Sequence, residues 1–316
     1  MMDPLSFVAD ILQQNLLVPL LFQFGLMQWQ EPAYGWALFS VYGFAQVMLT
    51  FAVCMPLERW RPIERHADGK TVATDILYTV IARAGILPLV TFVGFYNVQA
   101  WFDGVLLDAG WLPPTLESLV PGLAGQPVLA FVLYAVILDF ADYWRHRFSH
   151  RLGWWYALHS LHHAQRQMTF WSDDRNHILD DLIAALWFGV IALLIGISPF
   201  QFPLLVLLLR FIESLSHANV RLSFGWLGER LLISPRFHRA HHGVLAAGQR
   251  SCNYGAVLPW WDMMFGTADF ARDFARTGDP SAAEAMATGT YLAQQKAGLR
   301  RMASTLRRGG DQRRRA

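Results

Sequence analysis

The sequence predicts an all-α integral membrane protein: a helical bundle of about four spans plus a membrane hairpin, with a cytoplasmic histidine-rich helical cap that holds a dimetal site. Three observations predict it. Apolar residues make up 54% of the 316 residues and charged ones only 16%, against about 25% charged in an ordinary soluble domain. The apolar residues gather in runs near 5–28, 34–56, 74–97, 125–144 and 182–212. Ten of the eleven histidines lie between His146 and His242, and their spacing repeats.

Each of the first four runs is long enough to cross a hydrocarbon core of about 30 Å, which takes around 20 helical residues. The fifth is interrupted by Ser198-Pro199 and Pro203. Proline has no N–H and breaks a helix, so each half is short, and the run reads as a re-entrant hairpin or two short spans. Arg59, Arg61, Arg65 and Lys70 follow the second run, whereas 98–124 carries Asp103, Asp108 and Glu117 with no Lys or Arg. The positive-inside rule puts the first segment in the cytoplasm and the second outside. The fourth span then delivers His146 to the cytoplasm, and a hairpin returns His217 to His242 to the same side. Asp75 and Arg83 in the third run are costly in lipid and are expected to face the protein interior or to snorkel, with Arg83 in a structural ion pair or against a lipid headgroup. Trp101 and Trp111 read as interfacial anchors, and Asn97 as the polar end of its span.

Asp3 and the lack of Lys or Arg before the first apolar run leave no basic region of the kind a cleavable signal peptide needs. Cys54 and Cys252 offer neither a disulfide framework nor a CxxC pair, and Cys54 reads as a buried thiol. Three regions follow: an N-terminal membrane region 1–124, a histidine-bearing region 125–268, and a polar basic tail 269–316. Asp279-Pro280 has the form of an N-cap followed by proline at the first helical position, which predicts a helix over about 281–308. The tail carries Lys296, Arg300, Arg301, Arg307, Arg308, Arg313, Arg314 and Arg315 against Asp311. It suits solvent or anionic headgroups, at about 1 kcal/mol per basic residue near the surface. No recognition fold accompanies this charge, so nucleic acid is not an expected partner.

The histidines read His146-x-x-x-His150, His159-x-x-His162-His163 and His238-x-x-His241-His242, with His177 and His217 between. Residues three and four apart share a helix face, so each group can aim several imidazoles at one point. Imidazole is the commonest metal-ligating side chain, and ordinary core packing does not ask for this periodicity. By ligand type the metal is iron, zinc or copper. Carboxylates are scarce here, unlike the Glu-x-x-His pairs of ferritin-type di-iron sites. Trp144, Trp154, Trp155, Tyr156, Phe170 and Trp171 surround the span ends, where a bilayer-dissolved molecule could present a C–H bond to a redox metal. Zinc would suit hydrolysis, but no HExxH motif supplies a base beside the ligands. Asp139 and Asp142 precede His146 by seven and four residues and share its side of the helix. A metal-bound histidine commonly donates its other N–H to a carboxylate, so these two, with Tyr143, are expected to orient ligands. Asn219 and Asn253 are further candidates, and His66 reads as an exposed loop residue.

The run Asp139-Phe-Ala-Asp142-Tyr143-Trp144-Arg145-His146-Arg147-Phe148-Ser149-His150 resembles the first histidine box of the fatty acid hydroxylase/sterol desaturase superfamily. His159-Ser-Leu-His162-His163 resembles the second, and Pro235-Arg-Phe-His238-Arg-Ala-His241-His242 the third. Asn253-Tyr254-Gly255 and Trp261-Asp262-x-x-Phe265-Gly266-Thr267 match the family's ending, so the likeness covers about 125–268. It implies an integral membrane enzyme that holds two iron ions and uses O2 and external electrons to hydroxylate, desaturate or demethylate lipids. The implied ligands are His146, His150, His159, His162, His163, His238, His241 and His242. His217 resembles a further family histidine, and His177 one of the sterol-modifying branches, although Ile178 stands where a proline usually follows. Arg221 stands where some relatives carry another histidine, implying an open or water-filled position on one metal.

The expected activity is lipid hydroxylation on a sterol, ether lipid, fatty-acyl chain or related molecule, with desaturation the alternative outcome of the same hydrogen abstraction. The chain shows no flavin or nicotinamide fingerprint, so the electrons are expected from a ferredoxin- or cytochrome b5-like partner with its reductase. Two remoter readings are a membrane haem electron carrier and a zinc hydrolase.

Overall fold

The computed structural model describes residues 4–64, 68–112, 114–197, 202–246, 249–271 and 273–314. Arg65, His66, Ser198-Pro199 and Arg315 lie outside the described residues. Among those described there is no β-strand, only an isolated antiparallel bridge between Gly243 and Thr277. The expected all-helical membrane architecture is what is found. Five helical stretches are long and apolar enough to cross a membrane: Pro4–Gln23, Met27–Trp60, Gly69–Thr91, Pro127–Arg151 and Ile178–Ile195. Phe44, Met48, Leu77, Val80, Val128 and Val132 on these stretches are exposed, as a lipid-facing surface requires.

The chain forms two compact units. The first comprises Met1–Leu49, Thr79–Tyr134 and Gly189–Leu208, the second Thr50–Tyr78, Ala135–Phe188 and Leu209–Ala316. In the first unit, α1 (Pro4–Gln23) widens into a π-helical turn over Gln13–Leu17. Pro19 follows directly and cannot donate to the carbonyl four residues back. Helix α2 (Gln30–Trp60) crosses α3 (Gly69–Arg83) so closely that a Cβ on Gly43 would lie 2.3 Å from the Arg83 carbonyl oxygen. The predicted third span does not run on as one helix. It breaks at Gly85, and α4 (Ile86–Asp108) begins anew. Gly85 has φ +111°, and its carbonyl accepts the Trp36 indole N–H at 2.8 Å. A side chain there would meet both that indole and Ser40 at 3.0 Å, so backbone conformation and close approach both demand glycine. Arg83 is buried and hydrogen-bonded to Gln46, which gives its guanidinium an acceptor away from lipid.

The second unit carries all the described histidines. Helix α5 (Pro127–Arg151) has proline at its first position, where the missing N–H is harmless. A one-residue hinge at Leu152 turns it into α6 (Gly153–His163). Helix α7 (Ile178–Ile195) and α8 (Phe202–His217) occupy the predicted hairpin region. The short α9 (Pro235–His241) is started by Ser234, whose Oγ accepts the Phe237 N–H at 3.2 Å. Beyond it lie α10 (Trp260–Met264), α11 (Glu284–Thr288) and α12 (Tyr291–Arg314).

The C-terminal helix differs from the one expected at 281–308. Asp279 closes a tight turn on Ser281, accepting its N–H at 2.8 Å and its hydroxyl at 2.6 Å, and also accepts the Tyr156 hydroxyl and Arg301. The long helix therefore starts only at Tyr291, and it packs along α6. Gly298 permits this approach, since a Cβ there would lie 2.6 Å from the His177 ring. The same unit is pinned by Arg175, which is fully buried. It reaches Asp75 at 3.0 Å and the carbonyls of Met286 and Ala287 at 2.8 and 2.7 Å, and Gln165 also binds Asp75. Asp75 thus faces the protein interior, as expected, with Arg175 as its cation. Arg175→Leu leaves that carboxylate buried without its cation, so thermal unfolding of detergent-purified protein should show a loss of about 3–5 kcal/mol. Arg175→Leu combined with Asp75→Leu should recover much of it.

Candidate metal centre

Nine of the ten expected histidines converge in two groups. His146, His150, His159, His163 and His241 form one, and His162, His217, His238 and His242 the other. Within each group the ligating atoms lie within 4.8 Å of one another, and all nine rings but that of His150 are buried. The elements explain the partition. His146 and His150 are one turn apart on the last turns of α5. His159 and His163 share a face of α6 while His162 is rotated from it, and α9 likewise sends His241 to one group and His238 to the other. His217 ends α8. Each box of three is therefore split between two points, each with room for one metal ion. The Arg221 guanidinium lies over the Phe274 ring at 5.8 Å, and the second group stays at four.

Hydrogen bonds fix the rings. The Nδ1–H of His146 donates to the Tyr254 carbonyl at 2.8 Å, that of His241 to the Cys252 carbonyl at 2.7 Å, and that of His217 to the Glu213 carbonyl at 2.8 Å. His159 donates to the Asp180 carboxylate at 2.9 Å. In a neutral ring the opposite nitrogen, Nε2, then carries the lone pair. The Nε2 atoms of His146, His150 and His159 are buried without a hydrogen-bond partner in the protein. Others face each other: His217 to His162 at 3.1 Å and to His238 at 3.0 Å, His242 to His238 at 3.2 Å, and His241 to His163 at 3.1 Å. Neighbouring ligands on an ion with metal–nitrogen bonds of about 2.0–2.1 Å are separated by roughly this distance. Buried acceptors left unpaired are unfavourable, and a cation at each focus satisfies them. The residues present fit two metal ions. They do not fit haem, because nitrogens this close leave no room for a porphyrin between them.

Burial, reinforced by the neighbouring imidazoles, holds His162, His163, His238 and His242 well below their ordinary value near 6.5. They stay neutral at pH 7 and can donate lone pairs.

His177 is not brought to either group. Its Nε2–H donates to the Gln295 carbonyl at 2.9 Å and its Nδ1 accepts the Leu179 N–H at 3.1 Å, so both nitrogens are spent on backbone where α12 meets the start of α7. The expected carboxylate partners also differ. Asp139 accepts the N–H groups of Val257 and Leu258 and the Trp261 indole, at 2.9, 3.1 and 2.8 Å, and touches no histidine. Asp142 binds Arg145. The Tyr143 hydroxyl meets Thr267 at 3.0 Å and Arg147 at 2.8 Å. Asn219 accepts the N–H groups of Ile63 and Glu64, tying down the chain that follows α2. Asn253 sits at φ +58° and bonds Phe237 and Asp269.

Sequence reasoning missed Asp180, which receives both His159 and the Trp155 indole. The available signal was Asp180-Asp181 opening an otherwise uncharged apolar helix, where a carboxylate must have a partner. The carbonyls of Cys252 and Tyr254 were invisible to side-chain reasoning. They are held in place by Asp139 and by Asp262, which accepts the N–H groups of Tyr254 and Gly255, each at 2.8 Å. A polar cavity of about 50 Å³ lies beside the centre, lined by His146, His159, His162, His217 and His238 with Asp142, Arg145, Asp181, Arg210 and Glu213 among the rest.

Residues 131–267 match the fatty acid hydroxylase family, and this stretch contains every histidine of both groups. That region of the chain is of the fatty acid hydroxylase/sterol desaturase type. Alkylglycerol monooxygenase of Danio rerio is 32% identical over 137 residues, 41% of this chain and 28% of that protein. Methylsterol monooxygenase 1-1 of Arabidopsis thaliana is 24% identical over 207 residues, covering 61% and 59%. Very-long-chain aldehyde decarbonylase GL1-5 of Oryza sativa subsp. indica is 26% identical over 269 residues, covering 76% and 40%. The chain thus spans well under two thirds of each of these relatives. No solved structure matches.

Two outcomes are expected of this centre. Asp180→Asn should weaken metal binding about 10–100-fold in chelator competition, while His177→Gln leaves metal content unchanged. Because the folded state holds His162, His163, His238 and His242 neutral, the unfolded chain takes up protons that the native one refuses as pH falls through about 6.5. Calorimetry of metal-free protein should show stability intact above that pH and falling below it.

Proposed function

We propose that this protein is a di-iron, O2-dependent membrane oxidoreductase that hydroxylates a C–H bond of a lipid, such as a sterol, ether lipid or fatty-acyl chain. The observation that carries the reading is the pair of buried all-imidazole groups, whose nitrogen ligands suit iron. The alkylglycerol and methylsterol monooxygenases among the relatives add lipid carbon as the target. Bound there, two irons would supply the reductive activation of O2.

The chain's own residues account for the rest. His146, His150, His159, His163 and His241 hold one ion, and His162, His217, His238 and His242 the other. Asp180 and the carbonyls of Tyr254, Cys252 and Glu213 hold the Nδ1 protons, which keeps each Nε2 aimed at its ion. The four-histidine group offers fewer protein ligands and borders the cavity through His162, His217 and His238. Hydroxylation by O2 consumes two electrons and two protons and releases water. The cavity carboxyl groups of Asp142, Asp181 and Glu213, set among Arg145 and Arg210, are placed to pass those protons inward. The electrons come from a ferredoxin- or cytochrome b5-like donor. Arg59, Arg61 and Lys70, against the acidic 98–124 segment, favour a topology with the histidines and the C-terminus in the cytoplasm.

The test is turnover of protein reconstituted in nanodiscs with lipid extract, a reduced ferredoxin and isotopically labelled O2. A lipid hydroxyl carrying the label, absent in His217→Ala, is the expected result. A product whose oxygen comes from water, formed without O2, would overturn the reading in favour of hydrolysis. Unlabelled product short of two hydrogens would assign desaturation instead.

A further inference from the structure

We propose that residues 225–232 and 260–265 form a monotopic collar, seated in the headgroup and upper acyl region of the bilayer outside the spanning helices. Neither segment belongs to a helix long enough to cross. Yet Trp226, Leu227, Leu231, Trp260, Met263 and Met264 are all exposed, Trp226 by 74% and Met264 by 66%. Clustered exposure of this kind marks a contact surface, whereas scattered apolar residues do not. The two segments are joined into one surface. The Trp260 indole donates to the Arg230 carbonyl at 2.9 Å, and the Arg230 guanidinium lies over the rings of Trp226 and Phe270 at 4.4 and 4.6 Å.

Three features commit this surface to lipid rather than to a protein. The first is continuity with a spanning helix. Phe140, on the exposed face of α5, packs against Trp261 at 4.8 Å and near Phe265 at 6.4 Å, and Trp144 meets Phe265 at 5.0 Å. The lipid-facing side of the span therefore runs unbroken onto the collar. The second is charge. Glu229 and Asp262, the acidic residues of the two segments, are buried, which leaves Arg230, with Arg147 over the Trp144 and Phe265 rings at 5.3 and 5.9 Å. Cations stacked on aromatics suit the phosphate level. The third is composition, because Trp concentrates at the membrane–water interface and amphipathic segments with Trp and Leu on one side lie in its plane. Trp226 to Leu232 lead directly into Ser234 and the third histidine box, and Trp260 to Phe265 follow the Cys252 and Tyr254 carbonyls. The collar would thus hold two ligand-positioning segments at a set depth.

The test is independent of any reaction. Leu227→Cys and Met264→Cys would each be nitroxide-labelled in the full chain in phospholipid nanodiscs, with Phe140→Cys as the reference within a span; the native Cys54 and Cys252 are buried. Collision rates with O2, which partitions into lipid, and with a water-soluble nickel chelate are then compared by electron paramagnetic resonance. O2 collisions exceeding nickel collisions several-fold at both collar sites, as at Phe140→Cys, support the collar. Nickel collisions dominating at both sites would overturn it as a water-facing surface. Low collision rates with both reagents would overturn it as a face covered by protein, such as a second copy of the chain. Because the positions project outward, either one alone serves if the other variant expresses poorly.

Discussion

Nine imidazoles whose nitrogen lone pairs are turned inward and away from water are the constraint on which the second unit is built. Ring nitrogens of different histidines face one another at 3.0–3.2 Å, and the Nε2 atoms of His146, His150 and His159 are buried with no hydrogen-bond partner in the protein. A cation at each focus would complete such a cluster. Metal binding and folding are then linked, and much of the surrounding sequence serves to keep the rings neutral, buried and correctly rotated.

That service comes mostly from the backbone. Asp262 and Asp139 are both buried, and their carboxylates accept main-chain N–H groups of residues 254–258. The segment so gripped presents two carbonyls to His241 and His146. Charge also takes part: the Asp180 carboxylate accepts the His159 Nδ1–H in the five-histidine group, and Asp173 lies 3.5 Å from the His217 Nδ1 in the other. The C-terminal helix contributes from the other side by filling the space next to α6 and occupying the Nε2 of His177 through the Gln295 carbonyl.

The sequence was most legible where chemistry and periodicity coincide. Apolar runs of the right length marked the spans, and histidines three and four apart marked the faces of α5, α6 and α9. The split of each box between two foci follows from the 100° step of a helix, which rotates His162 away from His159 and His163. Legibility failed where a residue type has several uses. Asp139 lies on the helical side expected of a histidine partner, yet neighbouring main-chain N–H groups capture it. His177 looks like a ligand by its place in the order of histidines, but its setting depends on Gln295, more than a hundred residues away. Gly85 stops a helix inside a run whose hydropathy alone predicts one span. Long-range partners decide all three, and spacing in the chain carries no record of them.

The most direct test of the dimetal centre is the metal content of protein purified from its native membrane without added metal, measured for the unaltered chain and for His217→Ala and His146→Ala. Two irons per chain, with each variant retaining about one or fewer, is the result predicted. A metal content near zero in a folded, stable protein, or two tightly held zinc ions in its place, would contradict the account.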